Sequence, residues 1–272
     1  MGSLFRFLSH LPLPLLHNLG AVVGWLAWLL SPSYRSHLRE NTALAGLAAA
    51  RGGAIAEAGK AMLELPKLWL QPHDEVVERV VKVSGWDLVE AAWHEGRGIL
   101  FLTPHLGCFE ITAQYYASYR PMTVLYRRPK QAWLGPIIEE GRGANLRLAP
   151  ADMSGVKKLL KALRSGEAVG MLPDQAPGAG EGVWAPFFGK PAYTMTLAPR
   201  LAATGATVLL AYAERLHYGA GYHLKLRLPA EPLTDPAAVN RAIEGLIREC
   251  PEQYLWGYNR YKAPSGAPEA AA

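Results

Sequence analysis

From Phe7 to Tyr34 the chain carries no Lys, Arg, Asp or Glu, and the centre of that stretch, Leu15 to Leu30 (LLHNLGAVVGWLAWLL), is almost wholly apolar, with Trp25 and Trp28 toward its end. Such a run must be covered by lipid or by protein. Pro12 and Pro14 should stop a helix from running back further, so about 16 helical residues span roughly 24 Å, short of the roughly 30 Å hydrocarbon core of a bilayer. The reading is a short, tilted or half-inserted membrane anchor over residues 1–35. A cleaved signal peptide is the rival, with Arg6 as a minimal basic start. No A-x-A site follows Leu30, however, and Ser31-Pro32 followed by Arg35 and Arg39 reads as an interfacial boundary. A buried core helix ranks third. Arg35 and Arg39 favour keeping the remainder cytoplasmic.

Composition narrows the partners. The 272 residues are 50% hydrophobic and only 19% charged, and 28 − 23 leaves a net charge of +5. That balance attracts the chain to anionic surfaces: acidic phospholipid, phosphorylated substrate or nucleic acid. The two cysteines, Cys108 and Cys250, are too few for a disulfide framework or a structural zinc site.

Residues 36–80 read as helical, with breaks at Gly52-Gly53, Pro66 and Pro72. From Trp86 onward short apolar runs alternate with amphipathic stretches. Candidate strands cover 98–103, 122–126, 146–148, 168–172, 206–214 and 223–228. Candidate helices lie near 87–95, 107–118, 131–141, 152–165, 192–204 and 236–248. This alternation predicts an α/β fold, a mostly parallel central sheet flanked by helices, with the N-terminal membrane-anchoring helix added. The domain would run over 36–262, and the Ala/Pro/Gly-rich 263–272 would be a flexible tail. Sites in such sheets sit where strands hand over to helices, at the strands' carboxyl ends.

Three of those exits are polar. The first is Thr103-Pro104-His105-Leu106-Gly107-Cys108-Phe109-Glu110. On one continuous helix His105 and Glu110 would stand about 140° apart, but they can pair if His105 sits in the turn and Glu110 in the helix's first turn. A histidine–carboxylate pair makes a general base, because the carboxylate sets the tautomer and stabilises the imidazolium. A loop histidine beside a helix-capping glutamate satisfies the same spacing. The second exit is Tyr126-Arg127-Arg128-Pro129-Lys130, whose following helix ends in Glu140-Gly141-Arg142-Gly143. Arginine suits bidentate contact with phosphate or carboxylate. Arg142 is flanked by glycines that permit close approach of backbone and ligand. Lys157, Lys158, Lys161 and Arg164 read as a solvated basic face or a contact for headgroups or an acidic partner. The third exit is Leu172-Pro173-Asp174-Gln175, followed by a Gly-rich loop and Pro186-Phe187-Phe188-Gly189. Asp174 could orient an arginine or the nucleophile's site, or cap a turn; Phe187-Phe188 fits the core or the wall of an acyl-chain groove. Cys108 reads as a buried thiol rather than a nucleophile. The histidines share no metal-ligand spacing, and phosphate-loop, serine-elbow and nucleic-acid motifs are absent.

Taken together, the His105 to Glu110 HxxxxE element, Tyr126-Arg127, Gly141-Arg142, Leu172-Pro173-Asp174-Gln175, Pro186-Phe187-Phe188-Gly189 and Pro251-Glu252-Gln253-Tyr254-Leu255-Trp256 resemble, in order and spacing, the bacterial lipid A biosynthesis acyltransferases of the lysophospholipid acyltransferase superfamily. The resemblance covers the chain from the anchor to about Lys262. It implies a glycerolipid-acyltransferase-like fold, and an enzyme at the cytoplasmic face of the bacterial inner membrane that moves an acyl group from an acyl carrier protein thioester to a hydroxyl of a phosphorylated glycolipid. By matching positions, His105 would be the base and Glu110 its partner, with Arg142 and Asp174 as further active-site residues. Arg127 and Arg128 at the second basic exit would hold the lipid's phosphates. Neither cofactor nor metal is implied, and nucleic acid is not a partner. Gly257-Tyr258-Asn259 depart from the family's more basic run, which keeps other glycolipid or glycerolipid acceptors open. A thioesterase and a noncatalytic lipid-binding protein are the remaining alternatives.

Overall fold

The computed structural model describes residues 2–129, 131–143 and 146–269, so Lys130 of the second exit and 270–272 of the expected tail lie outside the described residues. The chain opens with α1 (Gly2–His10) and α2 (Leu13–Leu30), separated at Pro12. Pro14 falls in the first turn of α2, where an N–H has no helical acceptor to lose, so the helix starts earlier than expected. Its 18 residues span roughly 27 Å. Next come α3 (Pro32–Leu44), α4 (Arg51–Leu70) and the short α5 (His73–Val77). The expected breaks at Gly52-Gly53 and Pro66 do not occur. The chain turns instead around Gly46, at φ +70°, and all three residues lie inside α4. Burial of Ile55, Leu68 and Trp69 outweighs the hydrogen bond that Pro66 removes.

α2 lies along α4. Leu13, Leu16, His17, Gly20 and Gly24 form its buried face, at the spacing of one helix side. A Cβ on Gly59 of α4 would overlap the Gly20 carbonyl, and one on Gly24 would overlap the Ile55 carbonyl. The two backbones therefore touch. The opposite face, with Leu15, Leu19, Val22, Trp25, Leu26, Leu29 and Leu30, is exposed. By length and composition alone α2 could cross a membrane, yet one side of it is occupied by protein.

A buried charge cluster fastens this packing. The Arg215 guanidinium donates to Glu64 at 2.9 and 2.6 Å and to Glu57 at 2.7 Å. Glu64 also accepts from the Tyr222 hydroxyl at 3.0 Å and contacts His17 of α2 at 3.1 Å. Burial alone would push the Glu64 carboxyl up; Arg215 and then His17 override it and hold it at about 2.

β1 (Val80–Ser84) is a strand not expected from the sequence, and the chain then alternates as expected: α6 (Trp86–His94), β2 (Ile99–Leu102), α7 (Phe109–Ala117), β3 (Met122–Tyr126), α8 (Leu134–Gly143), β4 (Leu146–Pro150), α9 (Met153–Arg164) and β5 (Ala168–Met171). A hairpin of β6 (Gly182–Phe187) and β7 (Lys190–Met195) follows, then α10 (Leu197–Ala202), β8 (Thr207–Arg215), β9 (Tyr222–Arg227) and α11 (Pro236–Glu249). The hairpin shortens the helix expected at 192–204. Phe188 and Gly189 both take positive φ, 47° and 78°, which closes a two-residue turn and draws 190–195 into pairing with 182–187. The main sheet has seven strands in the order β1-β9-β8-β2-β5-β3-β4, parallel throughout except between β8 and β9. Helices cover both of its faces, giving an apolar cluster on each side. Phe187 and Phe188 are buried in one of these clusters beside Trp256, which makes them core residues rather than a groove wall.

Candidate active site

Sheet register brings the first and third exits together. β2 and β5 are parallel neighbours with Leu102 opposite Met171. His105 stands three residues past Leu102 and Asp174 three past Met171, so equal offsets from a register pair set them side by side. The pair is doubly bonded: His105 Nδ1 donates to Asp174 Oδ1 at 2.9 Å, and the His105 backbone N–H donates to Oδ2 at 3.0 Å. Burial would raise the Asp174 carboxyl, but its bonds to His105 hold it below the ordinary carboxylate range. With Nδ1 protonated, the lone pair lies on Nε2.

The turn carrying His105 is held from both sides. Gly107 N–H donates to the Gln253 carbonyl at 3.0 Å, Cys108 N–H to Ala213 at 2.8 Å, and Leu255 N–H to the His105 carbonyl at 3.1 Å. Gly107 sits at φ +60°, and any Cβ there would overlap the Ala213 carbonyl. The Pro251 to Trp256 motif thus acts as a backbone brace for the histidine turn. Cys108 is buried, and that burial, followed by the nearby Glu64 charge, pushes its thiol well up, so it is an inert core thiol.

Glu110 is not the partner of His105. Its carboxylate is taken by Arg142, through Nε at 2.9 Å and through Nη2, and by the indole N–H of Trp69 at 3.0 Å. The expected His105–Glu110 pair fails because α7 begins only at Phe109 and carries Glu110 toward α4 and α8, while Asp174 occupies Nδ1 first. Arg142 is correspondingly not open to a ligand phosphate. Its guanidinium lies near the Trp69 and Tyr126 rings, 5.9 and 5.8 Å from their centroids. Gly141 serves the approach of α8 to the Trp69 backbone rather than the approach of a ligand. Arg127 and Arg128 lie at the carboxyl end of β3 with side chains 69% exposed, near Glu181 at 3.9 Å and Glu139 at 3.0 Å. Lys157, Lys158, Lys161 and Arg164 are all exposed along α9.

His105, Asp174 and Gln175 open on a cavity of about 260 Å³, walled by Tyr34 of α3, Ala58 and Met62 of α4, and the Tyr254, Leu255 and Tyr258 stretch. A larger cavity of about 360 Å³, beside Leu13, Arg79 and Gly219, contains none of the residues singled out in the sequence. Tyr258 donates no bond to the base; its hydroxyl accepts from the Ala176 N–H at 3.0 Å and fixes the loop after Asp174. Burial, and then the Asp174 charge, push the Tyr254 phenol well up, so it stays protonated beside the pair. Gln175, Tyr254 and Tyr258 were not among the expected site residues. The signals for them were the position of Gln175 directly after Asp174 at a strand exit and the place of Tyr254 in the Pro251 to Trp256 motif.

An imidazole tied to a buried carboxylate at the carboxyl ends of two parallel strands, facing a largely apolar cavity, can take a proton from a hydroxyl brought into that cavity. Residues 3–263 match the family described as bacterial lipid A biosynthesis acyltransferase. The chain belongs to that family and is an acyltransferase. It is 28% identical over 278 residues to the lipid A biosynthesis palmitoleoyltransferase of Escherichia coli, an alignment covering 96% of this chain and 89% of that protein. It is also 30% identical over 220 residues to the lipid A biosynthesis lauroyltransferase of Escherichia coli, covering 77% of this chain and 71% of the other. The lipid A biosynthesis acyltransferase of Shigella flexneri matches at 28% identity with 96% and 89% coverage.

Proposed function

We propose that this acyltransferase performs a late acylation of lipid A precursor, taking a fatty acyl group from an acyl carrier protein thioester to a hydroxyl of the phosphorylated glycolipid. The observation that carries the reading is the His105–Asp174 pair, 2.9 Å apart, with Nε2 of the histidine toward an apolar cavity. His105 Nε2 takes the acceptor hydroxyl's proton as the oxygen attacks the thioester carbonyl, and Asp174 stabilises the imidazolium that forms. The apolar walls from Ala58, Met62 and Leu255 suit a fatty chain. Glu110 enters through Arg142: the pair braces α7 against α4 and α8 behind the histidine turn. Arg127 and Arg128, exposed at the strand exit, are the cations available to lipid phosphates. Developing charge on the carbonyl oxygen needs donors other than the N–H groups of His105, Gly107 and Cys108, all of which are engaged.

The protein works at the cytoplasmic face of the bacterial inner membrane, with the bare side of α2 lying in the interface and its glycine side on α4. Supporting this are the exposed Leu19, Val22, Leu26, Leu29 and Leu30 and the cations Arg35 and Arg39 beside Trp28, each within 5.6 Å of its ring centroid. The experiment is incubation of purified protein with an acyl carrier protein thioester and a lipid A precursor lacking one chain, read by mass spectrometry of the lipid. Addition of one acyl mass is expected. Acylation of a lysophospholipid or glycerol phosphate in its place overturns the acceptor assignment.

A further inference from the structure

Gln175 follows Asp174 directly, and its side-chain Nε2 stands 3.2 Å from His105 Nε2. Asp174 accepts the proton on Nδ1, so His105 Nε2 is a lone pair and only the amide N–H end of Gln175 can face it. The carbonyl end would set one lone pair against another. The base is thus already hydrogen-bonded before any substrate arrives, through a residue that the proposed chemistry does not use. It also has water within reach, because the His105 side chain is 18% exposed and opens on a cavity with room for several waters.

We infer that Gln175 is a positioning residue that caps His105 Nε2 and biases the enzyme toward acyl transfer over hydrolysis of its thioester donor; the inference rests on the acyl-transfer reading above. In transfer, the acceptor's O–H proton passes to Nε2, its oxygen bonds to the thioester carbonyl carbon, the C–S bond breaks, and the departing sulfur collects the proton, giving ester and free thiol. With water as nucleophile the same steps give carboxylic acid and free thiol. Either nucleophile must first displace the Gln175 amide. At saturation a lipid acceptor absorbs that loss into the binding free energy of contacts along its length, so the bound complex reacts with the amide already displaced, whereas water makes no such contacts and bears the loss in full. A neutral hydrogen bond of this kind is worth roughly two- to tenfold in a rate or equilibrium, which sets the size of the bias.

The test uses the full chain in detergent with an acyl carrier protein thioester, with and without a saturating concentration of a lipid A precursor lacking one chain. Free thiol and acylated lipid are measured together to give a hydrolysis-to-transfer ratio. Gln175→Met keeps the length and bulk of the side chain but has no N–H, and Gln175→Ala removes both. The ratio is expected to rise about threefold or more in each, while His105→Ala loses both reactions. Because the ratio is internal to one preparation, partial misfolding does not move it. An unchanged ratio in either variant overturns the capping role. If the unaltered protein acylates no lipid at all, it is the acyl-transfer reading that fails, and this is seen before any variant is made.

Discussion

A neutral imidazole has one lone pair, and the group that accepts the proton of the other nitrogen decides where it lies. Asp174 makes that decision for His105, because both of its oxygens are spent on the histidine, one on the ring and one on the backbone. Asp174→Asn keeps the shape but no longer favours the Nδ1–H tautomer or the imidazolium. Transfer by this variant is expected to fall by about 10²- to 10⁴-fold in kcat, with the thermal midpoint little changed. A near-normal kcat sinks the orienting role. Glu110→Gln should show the opposite pattern. It strips a buried arginine of its counter-charge, and breaking such a pair costs on the order of 3 kcal/mol, so the loss should appear in thermal unfolding more than in turnover of the folded fraction. A variant that unfolds normally but does not turn over would return Glu110 to the chemistry. At this scale the sequence named both carboxylates but could not assign them. HxxxxE spacing allows a pair with His105, while the Asp174 contact spans 69 positions and exists only through strand register.

The contact between α2 and α4 depends on residues with no side chain. Gly59→Val inserts a branched group where Gly20 and Gly24 backbone now stands, and it should lower stability by about 1–3 kcal/mol while exposing the chain around Ser31, where α2 meets α3, to protease. Unchanged unfolding and cleavage would mean that the helices do not pack this way. The charge cluster beneath them sets a pH limit. Glu64 is held at about 2, below its ordinary 4.5, so the folded protein binds fewer protons there than the unfolded chain. The resulting stability is fully present above about pH 4.5 and is lost as pH falls toward 2, on the order of 3 kcal/mol in all. Thermal midpoints measured across that window should fall steeply for the native chain. A Glu64→Gln variant should start lower and change less. The missing charges mark α2 in the sequence as a tilted or half-inserted anchor, with a buried core helix only third, since neither the glycine contact nor the His17–Glu64 link shows in local pattern.

At the scale of the whole molecule, the proposed seat at an anionic bilayer surface rests on a bare apolar helix face, flanking arginines and a net charge of +5. Leu26→Asp combined with Leu29→Asp places two charges on that face without touching the α4 contact. The variant is expected to leave the membrane fraction and to lose sedimentation with anionic vesicles, while still acylating a detergent-dispersed acceptor. Persistent vesicle binding would place the membrane contact elsewhere.

By itself the amino-acid sequence determined the α/β architecture, the order of most strands and helices, the apolar N-terminal stretch and the three polar strand exits, because each is written in local periodicity, turn residues and charge. Tertiary structure alone decided which polar groups meet. It set Asp174 rather than Glu110 against His105, closed Glu110 onto Arg142 and Trp69, and laid Gly20 and Gly24 against Gly59. Those outcomes follow from sheet register and backbone approach, distances that no stretch of neighbouring residues encodes.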